Sequence, residues 1–319
     1  MDVIADQRGW ECVERDPFGR IVGLTTRIRR QETHSVPAYT VLAPVDGSRA
    51  SLAALRVAAD IAGRLAESSL DVLNVQTILG CTGDDDDLLN AGLADTEIAR
   101  QFLAGADASY RLRLAAGNPD EVILTYIREQ KIAEVVMGAD GTGSVGCALL
   151  GSVALDVLGQ VEIPVTLVKS RIHSPRFAQG TGDLLIAYDG SAGSLRALHY
   201  GLRYANGLNN APRIHLLNLQ AANDGLSAGK NSGTRLSQRT TALEACDAAL
   251  RALETVRADF EFHVAHGDPV EKILQLAASV DCCRIVMSSR GLGWFAALMA
   301  RSISWAVLYR TSIPITLVK

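Results

Sequence analysis

The stretch Ala43-Pro-Val-Asp-Gly-Ser48 comes back later in the chain as Ala187-Tyr-Asp-Gly-Ser191, which places Asp46 on Asp189. Further along, the correspondence settles to one constant offset. Gly117 falls on Gly267, Pro119 on Pro269, Glu121 on Glu271, Ile123 on Ile273, Met137 on Met287, Gly141 on Gly291, Ser152 on Ser302 and Pro164 on Pro314. Thr166-Leu-Val-Lys169 recurs unchanged as Thr316-Leu-Val-Lys319. Self-similarity at a fixed offset over so long a span marks a tandem duplication.

Each copy alternates strand-length apolar runs with helical patterns, the arrangement of an α/β fold with a parallel sheet. In the first copy a strand over Thr40–Val45 leads to a helix from about Ser48 to Leu65, then a strand over Leu70–Thr77. An acidic loop, Asp84–Asp87, precedes a helix near Leu88–Gly105. In the strand Tyr110–Ala115, Arg111 and Arg113 alternate with Leu112 and Leu114, which suits a sheet edge. Asn118-Pro119-Asp120 opens a helix with proline in its first turn; a strand over Ala133–Met137, a Gly-rich loop, a short helix and a strand over Val165–Lys169 complete the copy. The second copy repeats this order over Asp183–Lys319. The expected domains are thus residues 39–169 and 183–319, joined by a polar linker, Ser170–Gly182, and preceded by a 38-residue extension. In that extension Asp16-Pro-Phe-Gly19 suits the turn of a β-hairpin, and a tail without regular structure is the alternative. The final strand of each copy, opened by Pro164 or Pro314, is suited to pair with its counterpart, so intramolecular pairing of the two domains is an expectation.

The chain has 319 residues, 48% hydrophobic and 21% charged, close to ordinary globular composition. Lys plus Arg number 31 against 35 Asp plus Glu, a net charge of −4, so neither nucleic acid nor an anionic membrane is an expected partner. Mean hydropathy is +0.14, yet no apolar run is long enough to span a bilayer, and the amino terminus lacks the basic and apolar regions of a signal peptide. The six cysteines form no C-x-x-C pair. A cytoplasmic location is expected.

The chemistry concentrates in Met137-Gly-Ala-Asp-Gly-Thr-Gly-Ser-Val-Gly-Cys-Ala-Leu-Leu-Gly-Ser152. Gly138, Gly141 and Gly143 permit tight turns with exposed N–H groups, and Gly151-Ser152 sits at a helix start, where the dipole favours an anion. The loop contains no lysine and the chain no G-x-x-x-x-G-K-[ST], so a P-loop hydrolase is not supported. Gly141-Thr-Gly-Ser-Val-Gly146 matches a dinucleotide fingerprint but follows the fourth strand of the copy rather than the first, so dinucleotide binding is disfavoured.

These residues resemble the universal stress protein family, whose nucleotide-binding members carry G-x2-G-x9-G-[ST] after strand four. Gly138-x2-Gly141-x9-Gly151-Ser152 fits it throughout. The resemblance implies two tandem doubly wound domains, each a five-stranded parallel sheet in the order 3-2-1-4-5 with helices on both faces. Strands one and four then flank a topological switch point. It also implies that Asp46 contacts the adenine or ribose, that Val75 lines the base pocket, and that Gly138, Gly141, Gly151 and Ser152 hold the phosphates of ATP, with Mg²⁺ arriving on them. Asp46 has a plainer reading as a helix cap.

In the second copy Ser288 and Arg301 replace two motif glycines, and Trp294-Phe295 adds bulk, so steric closure is expected, with Arg301 pairing with a ligand phosphate as the alternative. One nucleotide per chain follows, in a stress-response or signalling protein with an unidentified protein partner and a homodimer left open. Slow ATP hydrolysis or phosphoryl transfer in the same cleft, and a ligand-free scaffold, are the alternatives; no catalytic triad is apparent. No metal site is expected: the Asp84–Asp87 run reads as solvated charge, and His263 and His266 lie on opposite faces of a strand. Cys147, inside the loop, is a weaker candidate for redox chemistry.

Overall fold

The computed structural model describes residues 12–15, 21–28, 39–77, 85–140, 150–171, 182–208, 211–220, 249, 251–253, 258–289 and 302–319. The chain divides into two compact units, Met1–His173 and Ser174–Lys319. Among the described residues, no helix is long and apolar enough to cross a membrane.

The first unit runs β1 (Cys12–Arg15), β2 (Ile21–Ile28), β3 (Tyr39–Val45), α1 (Arg49–Arg64), β4 (Ser68–Gln76), α2 (Asp85–Leu103), β5 (Tyr110–Ala116), α3 (Pro119–Glu129), β6 (Glu134–Gly138), α4 (Ser152–Gln160) and β7 (Val165–Val168). Strands β5, β4, β3, β6 and β7 pair in parallel in that order, which is 3-2-1-4-5 counted within the repeat. Val41, Leu42, Val135 and Val136 are fully buried, as strands covered on both faces require. Helix α1 buries a mostly small-residue face, including Ala50, Ala54, Ala58 and Ala62, which lets it lie close to β3 and β6.

Two expectations need correction. The alternating arginines of β5 do not mark a sheet edge, because β2 pairs antiparallel with β5 from Gly23↔Ala115 to Ile28↔Tyr110. Strand β1 pairs antiparallel with β2, so the extension does contain the hairpin. The acidic run is not wholly loop either. Asp85, Asp86 and Asp87 begin α2, and aspartate is a favoured residue type in the first turn of a helix.

The second unit runs β8 (Asp183–Tyr188), α5 (Ala192–Gly207), β9 (Ile214–Gln220), β10 (Phe260–His266), α6 (Pro269–Ser279), β11 (Cys282–Ser288), α7 (Ile303–Arg310) and β12 (Ile315–Val318). Its strands pair in parallel as β10-β9-β8-β11-β12, the order of the first repeat. Residues 172–181 of the expected linker lie outside the described residues.

Candidate functional site

The carboxyl ends of β3 and β6 lie side by side, because these strands pair directly through Val41↔Glu134 and Leu42↔Val135. From β3 the chain proceeds through α1 to β4 on one side, while β6 lies on the other. That divergence opens a crevice at the strand ends.

Beyond β3 the chain makes a tight turn. The Asp46 Oδ1 accepts the Ser48 N–H at 3.0 Å, and Gly47 takes φ +73°, a conformation that favours glycine. Ser48 is the N-cap of α1: its Oγ accepts the Ser51 N–H at 3.1 Å. The Ser51 hydroxyl donates to the Ser48 carbonyl, and its oxygen accepts the Asp46 N–H. The capping residue is therefore Ser48 rather than Asp46, whose carboxylate fixes the turn from outside. Burial pushes the Asp46 carboxyl up, but the hydrogen bonds from Ser48 and Ser51 outweigh it and hold its pKa below the ordinary value.

The second unit builds the same turn: the Ser191 N–H donates to Asp189 at 3.0 Å, the Ser194 N–H donates to Ser191 Oγ at 3.2 Å, and Gly190 has φ +81°. Asp-Gly-Ser is thus the local solution for turning from strand to helix in both repeats. It cannot alone distinguish a ligand-binding copy.

Gly138, at the end of β6, packs on this turn. A Cβ there would lie 3.0 Å from the Ala50 carbonyl carbon, the Ala50 Cβ and the Ser51 nitrogen. In the second unit Ser288 occupies the Gly138 position, and Gly193 stands where Ala50 does. A Cβ on Gly193 would come within 3.1 Å of the Ser288 Cβ. The two repeats have exchanged which partner carries the side chain, so the Gly138 to Ser288 difference has a packing explanation and need not signal a damaged loop.

Past Gly138 the chain enters the Gly-rich loop, whose stems meet in an antiparallel bridge between Asp140 and Leu150. Asp140 is anchored by accepting the Ser170 N–H at 2.6 Å. Gly151 is the N-cap of α4 and supplies no side-chain hydrogen bond, so the first-turn N–H groups have no cap side chain to bond, as anion-binding helix starts require. Ser152 begins the helix and is exposed. In the second unit the N-cap of α7 is Ser302, likewise without a side-chain hydrogen bond to the first turn, and the Ser304 hydroxyl donates to the Ser288 carbonyl at 2.9 Å. Buried Ala154 fills the Ser304 position in the first unit.

Gly141, Cys147, Gly291, Trp294, Phe295 and Arg301 lie outside the described residues. The structure thus places Gly138 beside the Asp46 turn through Ala50 and Ser51, and the Asp140–Leu150 bridge joins the Gly151-Ser152 helix start to the chain just beyond β6. Val75 is half-buried on β4, one residue beyond the Val45↔Asn74 pairing, at the same end of the sheet.

A polar cluster beside Val75 escaped the sequence reading. Buried Asn74 donates through Nδ2 to the Val45 carbonyl at 2.9 Å and to Asp95 at 3.3 Å, and Gln76 donates to Asn74 Oδ1 at 2.7 Å. Asp95, from α2, also lies over the turn, because a Cβ on Gly47 would come within 2.6 Å of its Oδ1. The signal was an asparagine set between the apolar Leu73 and Val75 in a strand interior. At the opposite end of the sheet Asp71, 1% exposed, accepts from Arg111 Nε at 3.0 Å and from the Tyr126 hydroxyl at 2.7 Å. Burial pushes the Tyr126 phenol up, and the Asp71 charge adds to the shift.

A parallel sheet with a switch-point crevice and a glycine-capped helix beside it defines a doubly wound α/β protein of the kind that takes ligands at its strand ends. The family model described as the universal stress protein family matches residues 39–169 and 181–319, and the chain belongs to that family. A universal stress protein from Archaeoglobus fulgidus DSM 4304 is similar over 88% of this chain and 96% of that one, with 22% identity and a TM-score of 0.62. A protein of unknown function from Pseudomonas aeruginosa PAO1 is similar over 90% and 95%, with 16% identity and a TM-score of 0.55. At these identities the likeness speaks for the fold. A universal stress protein solved in complex with cAMP covers 43% of this chain and 96% of its own, with 22% identity and a TM-score of 0.33. No curated protein matches the sequence.

Proposed function

We propose that the first repeat binds one adenine nucleotide, ATP or a close relative, and that the second binds none, so that the chain is a nucleotide-responsive stress or signalling module. The observation that carries this reading is the complete Gly138, Gly141, Gly151-Ser152 spacing in the first repeat, which the second repeat lacks at Ser288 and Arg301. In this reading the N–H groups at the start of α4 and the Ser152 hydroxyl hold phosphate oxygens. Asp46 and Val75 take the ribose and base at the ends of β3 and β4, and Mg²⁺ enters only on the phosphates. The Ala50/Gly138 exchange with Gly193/Ser288 moves the weight of the asymmetry onto Gly151 and Arg301. An arginine at the Gly151 position would fill the space that a phosphate needs.

The test is isothermal titration of the full chain with ATP, beside Gly151→Arg. The expected result is one site for the parent chain and at least a tenfold loss of affinity, about 1.4 kcal/mol, for the variant with its circular dichroism unchanged. Equal binding by the two chains would overturn the assignment of the phosphate site.

A further inference from the structure

We infer that the second unit carries a site for a first-row divalent cation of the Zn²⁺ class, built from His215, Glu261 and His263 near the amino-terminal ends of β9 and β10. The parallel register sets Glu261 directly opposite His215, and His263, two residues further along β10, projects from the same face as Glu261. The potential ligand atoms converge. His215 Nδ1 lies 3.0 Å from His263 Nε2 and 3.6 Å from Glu261 Oε2, and His263 Nε2 lies 3.7 Å from Glu261 Oε2. A tetrahedral centre with ligands at about 2.0–2.1 Å separates them by about 3.3–3.4 Å, and a point equidistant from these three atoms is about 2.0 Å from each. The cluster is already sized for an ion.

The surroundings prepare each ligand. The Asp183 carboxylate lies 3.0 Å from His215 Nε2, so it takes that N–H and leaves the Nδ1 lone pair directed at the cluster. This is the carboxylate–histidine pairing that orients metal ligands. Arg213 holds the other oxygen of Glu261, Oε1, at 3.1 Å, leaving Oε2 toward the rings. Without an ion, His263 donates its Nε2–H to His215. Binding transfers that proton through solvent to His263 Nδ1 and frees Nε2 as a donor to the metal. Two imidazoles and a carboxylate suit zinc and neighbouring first-row ions rather than Ca²⁺ or Mg²⁺. His215 is buried, His263 half-buried and Glu261 exposed, so the remaining coordination position faces water.

The first repeat shows what the same place looks like without this chemistry. There Asp71 stands at the His215 position opposite Arg111 in register, and Arg113 stands at the His263 position. The Arg111 guanidinium occupies the Asp71 carboxylate. Two arginines repel a cation, so the prediction is one site per chain.

The test uses the full chain, stripped with a chelator and titrated with Zn²⁺ against a chromophoric competitor, with Co²⁺ absorption as a second readout. The expected result is one Zn²⁺ per chain and a visible Co²⁺ d–d band. His263→Gln should abolish both, Glu261→Gln should weaken binding at least tenfold, and Asp183→Asn should weaken it about 10–100-fold, the usual effect of losing an outer partner. Glu261 is exposed, so Glu261→Gln decides the matter even if His263→Gln misfolds. Failure of the parent chain to bind, or equal stoichiometry and affinity in the parent and Glu261→Gln, would overturn the site.

Discussion

Replacing Gly138 by serine gives the first unit the side chain that Ser288 carries in the second, without the Gly193 that makes room for it. The new Cβ falls 3.0 Å from the Ala50 carbonyl carbon, the Ala50 Cβ and the Ser51 nitrogen. Two of these are backbone atoms in the first turn of α1, held by the Ser48 cap, so relief requires shifting the helix against the sheet. Overpacking of this kind costs about 1–3 kcal/mol. Ala50→Gly alone should cost about 0.5–1 kcal/mol through helix flexibility. If the two positions compete for one space, the double variant Ala50→Gly/Gly138→Ser should cost less than the sum of the singles by about 1–2 kcal/mol, in the range for touching residues. Because the chain has two units, global melting would mix their transitions. Native-state hydrogen exchange read on peptides from β3 and β6 isolates the first unit, with about a fivefold fall in protection for each 1 kcal/mol. Additivity of the three variants within about 0.5 kcal/mol, or unchanged protection in Gly138→Ser, would refute the packing exchange.

Other outcomes follow from the same geometry. Arg111→Met should destabilise the first unit by about 3 kcal/mol, since it leaves the buried Asp71 carboxylate without its cation, and Asp71→Asn should cost less because the arginine it leaves behind has a third of its side chain exposed; the same exchange experiment ranks them. Ser48→Ala should cost about 1 kcal/mol through loss of the cap, and Ser191→Ala should cost the second unit a similar amount. The Asp46 pKa is depressed in the folded chain, below its ordinary 3.8, so the unfolded chain binds the proton more readily. Its stabilising contribution is whole above about pH 4 and is lost as pH falls through the folded value; Asp46→Asn should remove that part of the acid sensitivity of first-unit exchange, corrected for intrinsic rates.

The duplication and the strand–helix alternation were legible because each lies along the chain. The family resemblance supplied the strand order. Period-two alternation in β5 was also read correctly, but alternation reports one polar face, not a free edge, and the hairpin partner β2 comes from a segment outside the repeat. The start of α2 was misplaced because consecutive aspartates look like loop when their favourable place at a helix start is not weighed. The His215, Glu261 and His263 cluster was missed for a different reason. Along β10 the histidines do lie on opposite faces, and only the register with β9 brings a third ligand from a distant stretch of chain. Gly138 was read as phosphate-loop chemistry. Its contact with Ala50 and Ser51 crosses from β6 to α1, and no local pattern reports that.

The central claim, one nucleotide per chain held in the first repeat, is tested most directly by purifying the chain without added nucleotide, denaturing it, and identifying and counting the released small molecule by chromatography with mass spectrometry, with added ATP as a second step. The account predicts about one adenine nucleotide per chain, absent from Gly151→Arg. Release of two per chain, or no release together with no binding of added ATP, would contradict it.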